Sequence, residues 1–300
     1  MLYIYTPADG KNTEGIGAMA QYQIHAYNLS QAIIGARFLG RDFTNLQHYQ
    51  DYGTQEEFCK ECTEFFNFPN RIELPDLEVV KFDNFTPEFE EFVEKYQNSR
   101  EDKIIEINNF ALMPWADTNV KWWGKERIFE SLIPHIRFDP SKEYLDTNKL
   151  NVSMHIRNFM PDRDNDHSPT REYYEPGSPK EKYFLNLMNG IEETFEFDKE
   201  FHIYSQGQEE WFDSFLNQGY NVHLHINEHP LTSLYHMIKC DIRVLSNSSM
   251  SYLAALYGNG LSVARDNFPH ATLNTVYTDA EGKFDTSPVS YTHLTLPTKA

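Results

Sequence analysis

From residue 150 onward the chain alternates between two hydrophobic periods. Leu150, Val152, Met154 and Ile156 interleave with Asn151, Ser153 and His155, the period of two that puts successive side chains on opposite faces of a strand. Over 180–196, Tyr183, Phe184, Leu187, Met188 and Ile191 return every three or four residues, which predicts a helix. The alternation continues with a strand over 201–205 and a helix over 208–217 that gathers Trp211, Phe212, Phe215 and Leu216 on one face. Val222, Leu224 and Ile226 predict another strand; a helix over 231–239, a strand over 241–245, a helix over 249–257 and a strand over 261–265 follow. Strands separated by short helices are βαβ units, which build a parallel sheet with right-handed crossovers.

The N-terminal half follows the same logic less regularly. Leu2–Thr6 reads as a strand, and one long amphipathic helix is predicted from Ile16 to Leu39. A helix over 54–66 and a strand over Leu77–Phe82 come next. Thr86 and Pro87 suit the N-cap and first position of a helix carrying Phe89, Phe92, Val93 and Tyr96. Ile104–Ile107 predicts a strand, and 119–136 a helix with Trp122, Trp123, Ile128, Phe129, Leu132 and Ile133. The polar, turn-rich run from Asp139-Pro140 to Thr147-Asn148 suggests a boundary, giving domains at 1–145 and 146–288. Residues 289–300 continue no pattern and are expected to be a non-native tail.

Composition narrows the class. The 300 residues carry 26 Lys and Arg against 45 Asp and Glu, a net charge of -19 that argues against nucleic acid or an anionic membrane as the main partner. With 40% hydrophobic and 15% aromatic residues the chain can build a large core. No apolar run is long enough for a membrane-spanning helix, so any membrane association is expected to be peripheral. The start, Met1-Leu-Tyr-Ile-Tyr-Thr-Pro7, has neither a charged leader nor a long apolar stretch, so a cytoplasmic location is expected. Cys59, Cys62 and Cys240 are too few for a disulfide framework; Cys59 and Cys62 read more simply as helix packing near Phe65 and Phe66 than as a redox or zinc pair.

In an open parallel sheet, ligands bind beyond the carboxyl ends of the strands. Three polar features fall there: His155-Ile-Arg157, Ser205-Gln206-Gly207, and the Ser246-Asn247-Ser248-Ser249 run that enters helix 249–257. Hydroxyls at a helix start cap free amides, and those amides attract phosphate. Arg157 offers the donor fork that would neutralise a diphosphate. Gly15-Ile-Gly17, between strand 2–6 and the long helix, would let a ligand approach the backbone. Each feature has a plainer reading: a turn for Gly15 and Gly17, a simple cap for Ser246 to Ser249, a satisfied core histidine for His155, a surface ion pair for Arg157. His223, His225 and His229 invite a metal, but no carboxylate framework accompanies them, and no metal or cofactor is expected.

In order and spacing, these segments resemble the fucosyltransferase superfamily, most closely the α1,2-fucosyltransferase group. Val152-Ser-Met-His155-Ile-Arg157 is similar to the family's strand ending in His-x-Arg-Arg-Gly-Asp, with Asn158 at the second Arg. Phe201-His-Ile-Tyr-Ser205…Glu210-Trp211 resembles its Phe-Ser-Asp…Glu-Trp segment, with Gln206 at the Asp. His229-Pro…Leu234-Tyr…Cys240-Asp…Leu245-Ser-Asn-Ser248-Ser249 resembles its closing donor-site motif, and Gly15-Ile-Gly17…Gln21-Tyr22 its N-terminal motif. The resemblance implies an α/β chain of GT-B type, with two facing Rossmann-like domains built on parallel sheets and a nucleotide sugar held by the C-terminal one. It implies inverting, metal-independent transfer of fucose from GDP-fucose to a glycan. Arg157 would hold the β-phosphate and stabilise the leaving group; His155, Ser205, Ser246, Ser248 and Ser249 would line the donor pocket; Gly15 and Gly17 would line the cleft from the acceptor side. Glu14, Asp9, Asp162 and Asp164 are the candidate general bases. Two alternatives stay open: a transferase for another nucleotide sugar, and a nucleotide-sugar- or glycan-binding protein without catalysis, suggested by Asn158 and Gln206.

Overall fold

The strand that begins the chain becomes the centre of one parallel sheet, and the strand at 150 the centre of another. The computed structural model describes residues 1–7, 14–69, 77–97, 99–108, 111–112, 131–158, 174–266 and 274–283. The chain divides into two units, Met1–Phe138 and Asp139–Ala300. The expected tail at 289–300 and most of the helix expected over 119–136 lie outside the described residues.

In the first unit, β1 (Leu2–Tyr5), α1 (Ile16–Ala32), β2 (Ala36–Phe38), α2 (Gln55–Phe66), β3 (Val79–Phe82), α3 (Pro87–Gln97) and β4 (Lys103–Ile107) form a parallel sheet in the order β2-β1-β4-β3. The long helix expected from Ile16 to Leu39 is two elements. Gly35, with φ of 77°, reverses the chain, and Ala36–Phe38 pairs with Leu2–Ile4 as a strand. A left-handed residue costs a glycine little, and pairing beside β1 satisfies backbone groups that a longer helix would have left at its end. Nor is α1 amphipathic: Ile16, Gly17 and every residue from Met19 to Ser30 are buried, among them Gln21, Gln23, His25 and Asn28. Gln23 is buried with its amide satisfied, its oxygen accepting from the Arg41 amide and its nitrogen donating to the Arg41 carbonyl, both at 2.9 Å. Helix α2 starts at a capping box between Thr54 and Glu57 and ends at Asn67 in the left-handed conformation. Its Cys59 and Cys62 face inward, and burial pushes the Cys62 thiol well above the ordinary range, as expected of packing side chains. Beyond 130, Ile133–His135 is a single 3-10 turn containing Pro134 rather than the end of an α-helix.

The second unit runs β5 (Leu150–His155), α4 (Pro179–Thr194), β6 (Lys199–Ser205), a 3-10 turn at Glu209–Phe212 leading into the one-turn α5 (Asp213–Leu216), β7 (Val222–Ile226), α6 (Pro230–Lys239), β8 (Ile242–Val244), α7 (Ser249–Tyr257), β9 (Leu261–Arg265) and β10 (Thr275–Thr278). The parallel sheet has the order β10-β9-β8-β5-β6-β7. On one face Val152, Met154, Phe201, Ile203, Ile242, Val244 and Val263 pack with Phe184, Leu187, Met188 and Ile191 of α4 and with Phe212 and Phe215. The α/β class and the parallel sheets agree with the sequence reading, whereas β10 was not foreseen and the helix expected over 208–217 is split.

The opposite face is polar. In register across the sheet, His223, His202, Ser153, Arg243, Ser262 and Thr275 stand side by side on six neighbouring strands. Arg243 is completely buried and donates to the carbonyls of Ile238 (3.3 Å) and Cys240 (2.7 Å), so a strand residue caps the C-terminal end of α6. A Cβ at Gly258 would lie 2.4 Å from Arg243 Nη1 and 2.7 Å from the Ala254 carbonyl oxygen. Gly258→Ala is therefore expected to destabilise the chain by about 1–3 kcal/mol through overpacking, read as a lower urea midpoint with an unchanged slope.

Candidate functional site

Strands β6 and β7 lie to one side of β5; the chain then returns to lay β8, β9 and β10 on the other. The neighbours β5 and β8 therefore mark the point where the winding reverses, and in open parallel sheets ligands bind at the carboxyl ends of the strands at such a point. The residues leaving β5 are His155, Ile156, Arg157 and Asn158; those leaving β8 are Leu245, Ser246, Asn247 and Ser248, followed by the first turn of α7. The first polar feature read from the sequence thus meets the Ser246 run here, and on its other side it meets the Ser205-Gln206-Gly207 loop after β6.

Hydroxyls surround one nitrogen of His155. Nδ1 lies 2.5 Å from Ser251 Oγ and 3.3 Å from Ser246 Oγ; these two oxygens are 3.3 Å apart, and the Ser246 amide donates to Ser251 Oγ at 3.2 Å. Burial, Arg157 and Lys180 push the imidazole pKa down to about 3, so His155 is neutral at any physiological pH. Ser248 is the N-cap of α7, its hydroxyl accepting from the Met250 amide at 3.3 Å, and Ser249 is the first helical residue. The positive end of the α7 dipole therefore lies beside the His155–Ser246–Ser251 cluster.

Arg157 Nη1 donates to Gln206 Oε1 at 3.3 Å, and the Lys180 ammonium, from the first turn of α4, donates to the Arg157 carbonyl. Asn158 is buried and joins the loops, donating to the Gln206 carbonyl at 3.1 Å and accepting from the Tyr174 amide at 3.2 Å. The Ser205 hydroxyl gives its hydrogen to the Ile156 carbonyl at 2.7 Å, tying the ends of β5 and β6 together. Asn158 and Gln206, the departures from the resembling motifs, thus have structural roles of their own.

In the first unit, Gly15 is the N-cap of α1 and Gly17 lies in its first turn. A Cβ at Gly15 would sit 3.1 Å from the His48 ring, a close approach that favours glycine. The Glu14 carboxylate accepts from the Tyr22 hydroxyl at 3.0 Å. Asp9, Asp162 and Asp164 lie outside the described residues. Two residues of the second unit escaped sequence reasoning. Ser251 stands inside the serine-rich run but past the cap positions, and its role depends on His155 lying opposite. Lys180 follows Ser178-Pro179 at a helix start, a signal for a helix and not for a ligand.

A second polar constellation lies beside the first on the same face. His202 Nδ1 and His225 Nε2 are 3.1 Å apart, and Tyr144 stacks on His236 and His225 with ring centroids at 3.6 and 4.5 Å. The Tyr144 hydroxyl reaches the Tyr204 hydroxyl (3.0 Å) and Glu228 (3.3 Å). Among the described residues no group of three His, Cys, Asp or Glu side chains is arranged to hold a metal ion, and no helix among them is long and apolar enough to cross a membrane.

No protein-family model matches the chain, and no curated protein matches it in sequence. Among solved structures it is similar to POFUT1 in complex with GDP, at 12% identity and a TM-score of 0.44, over 88% of this chain and 97% of that one. It is also similar to POFUT1 in complex with GDP-fucose, at 11% identity and a TM-score of 0.43, over 92% of this chain and 97% of that one. Likeness at this level assigns no residue a role and does not single out the α1,2 group.

The histidines have a consequence for stability. Burial pushes the pKa of His202 down to about 3 and that of His225 to about 4, with His223 and His236 adding like charge whenever they are protonated, while Glu200, Glu143 and Glu228 stand nearby. Below about pH 6.5 an unfolded chain binds protons that the folded imidazoles refuse, so stability present above that pH is lost as pH falls toward 4. His202 alone is expected to account for about 2 kcal/mol of the loss between pH 7 and pH 5. His202→Gln should flatten the pH dependence of urea unfolding by that amount; an unchanged profile would mean that His202 titrates normally in the fold.

Proposed function

We propose that the chain is a glycosyltransferase of GT-B type that transfers fucose from GDP-fucose to a glycan with inversion. One observation carries this reading: Arg157 and Lys180 stand with a neutral imidazole at the point where the sheet reverses its winding, beside the N-terminus of α7. A reaction that breaks a sugar–phosphate bond builds negative charge on the departing diphosphate, and preorganised donors aimed at that charge lower the barrier. Arg157 can take a phosphate bidentately, Lys180 adds a point charge, and the positive end of the α7 dipole adds to them without any metal. The order of motifs resembling those of fucosyltransferases supports GDP-fucose as donor. None of the phosphate contacts reads the sugar, so the donor's identity rests on that resemblance. The acceptor is a glycan on this reading, the protein acts in the cytoplasm, and any membrane contact is peripheral.

Arg157→Ala is expected to leave the fold intact while weakening GDP binding by about 1.5–3 kcal/mol, roughly 10- to 150-fold, measured calorimetrically. Arg157→Lys should recover little of this, because an ammonium cannot reproduce the fork. Equal GDP affinity in Arg157→Ala and the parent would move the donor site elsewhere.

Transfer should also persist in excess chelator, since two cations and a helix terminus supply the charge that a divalent ion otherwise provides. Activity abolished by EDTA and restored by Mn²⁺ would overturn the metal-free mechanism. Tight GDP and GDP-fucose binding without turnover on a panel of glycans would favour a binding protein.

A further inference from the structure

We propose that Ser251 is a positioning residue that locks His155 in one neutral tautomer, with Nδ1 as acceptor and the proton on Nε2. The proposal rests on the donor-site reading for its purpose, but its geometry stands independently. Hydrogen-bond accounting decides between the tautomers. Among the described residues the Ser246 hydroxyl meets two partners, His155 Nδ1 and Ser251 Oγ, both at 3.3 Å, and Ser246 is only 7% exposed. Ser251 Oγ is completely buried and already accepts the Ser246 amide at 3.2 Å, which leaves it one lone pair and one hydrogen.

Were the proton on Nδ1, it would be given to Ser251 Oγ across the 2.5 Å contact and fill that last lone pair. The Ser251 hydrogen would then turn to Ser246 Oγ, and the Ser246 hydrogen would face a nitrogen and an oxygen with nothing left to accept it. A buried donor left without an acceptor costs about 1–3 kcal/mol. With the proton on Nε2 the conflict disappears. Ser251 donates to Nδ1 across the shortest contact, and Ser246 donates to the remaining lone pair of Ser251 Oγ. Every hydrogen in the cluster then has an acceptor.

The consequence is chemical. A neutral imidazole held this way offers an N–H from Nε2 and carries no lone pair there. Set with Arg157 and Lys180, it adds a third donor toward an anion, without the charge repulsion that a protonated ring would bring. Ser251 touches neither phosphate nor sugar in this scheme; it acts through His155.

The test uses the full chain labelled with ¹⁵N-histidine and long-range proton–nitrogen correlation spectra at pH 7 without ligand, His155 being identified by its loss in His155→Gln. The expected spectrum shows an unprotonated Nδ1 and a protonated Nε2 for His155. A protonated Nδ1 in the parent overturns the proposal directly, whether or not any variant folds. Ser251→Ala should mix the tautomers and weaken GDP binding about tenfold, and Ser251→Thr, which keeps the hydroxyl, should restore both. A tautomer that shifts in Ser251→Ala with GDP affinity unchanged would overturn the positioning role. Failure of GDP to bind even the parent would instead remove the donor-site reading and leave the tautomer result standing.

Discussion

The ladder between β5 and β8 is the contact on which the candidate site depends. Val152, Ser153 and Met154 pair with Ile242, Arg243 and Val244, joining segments some ninety residues apart in the chain. Because the two strands are parallel, both end on the same side, and the chain leaves one as His155-Ile-Arg157 and the other as Ser246-Asn247-Ser248. Without that pairing His155 would have no hydroxyls at Nδ1. A pair of βαβ layers meeting at a reversal of winding makes this juxtaposition a property of topology, and the side chains then decide what the site binds.

The electrostatics of the second unit follow from burial more than from net charge. The chain as a whole is strongly acidic, yet Arg157 and Lys180 stand at the candidate site with a neutral imidazole between the loops. Burial and the two cations both disfavour a proton on His155, so the ring serves as a polar group rather than a charge. The same device recurs along the polar face. His202, buried, and His225, half-buried, are held neutral among Tyr144, Tyr204 and His236, and Arg243 gives Nη1 to the carbonyls at the end of α6. This face is held by a few specific bonds, such as His202 to His225 and Arg243 to the carbonyls of α6. His202 Nε2, Arg243 Nε and Nη2 and Ser262 Oγ have no hydrogen-bond partner among the described residues, and protonating an imidazole there adds a buried charge.

Satisfied hydrogen bonds also explain the two residues that depart from the motifs the chain resembles. Asn158 and Gln206 are held to each other's loops, with Tyr174 and Arg157 as further partners. The loops after β5 and β6 are thereby fixed to one another beside the candidate site, and the Ser205 bond to the Ile156 carbonyl adds a third tie. A site assembled from loop residues needs such bracing, because the reacting groups must be held to within a fraction of an ångström.

Much of the second unit could be read from the chain alone. Period-two runs at 150–156 and 222–226 and period-3.6 runs at 180–196 and 231–239 report burial on one face, and burial on one face is what fixes strand and helix locally. The same regularity located the strand ends, and with them His155, Arg157 and the serines that enter α7. The first unit was less legible because α1 is buried on all sides, which erases the amphipathic signal, and because Gly35 inserts a turn where hydrophobic residues continue without a break. Strand β10 was invisible, since a short edge strand of Thr275-Val-Tyr-Thr278 carries too few apolar residues to stand out and is defined by its neighbour β9. Ser251 and Lys180 could not be found in sequence at all. Their roles arise from what lies across from them in space, and only the order of strands in the sheet brings β5, β8 and the starts of α4 and α7 to one end.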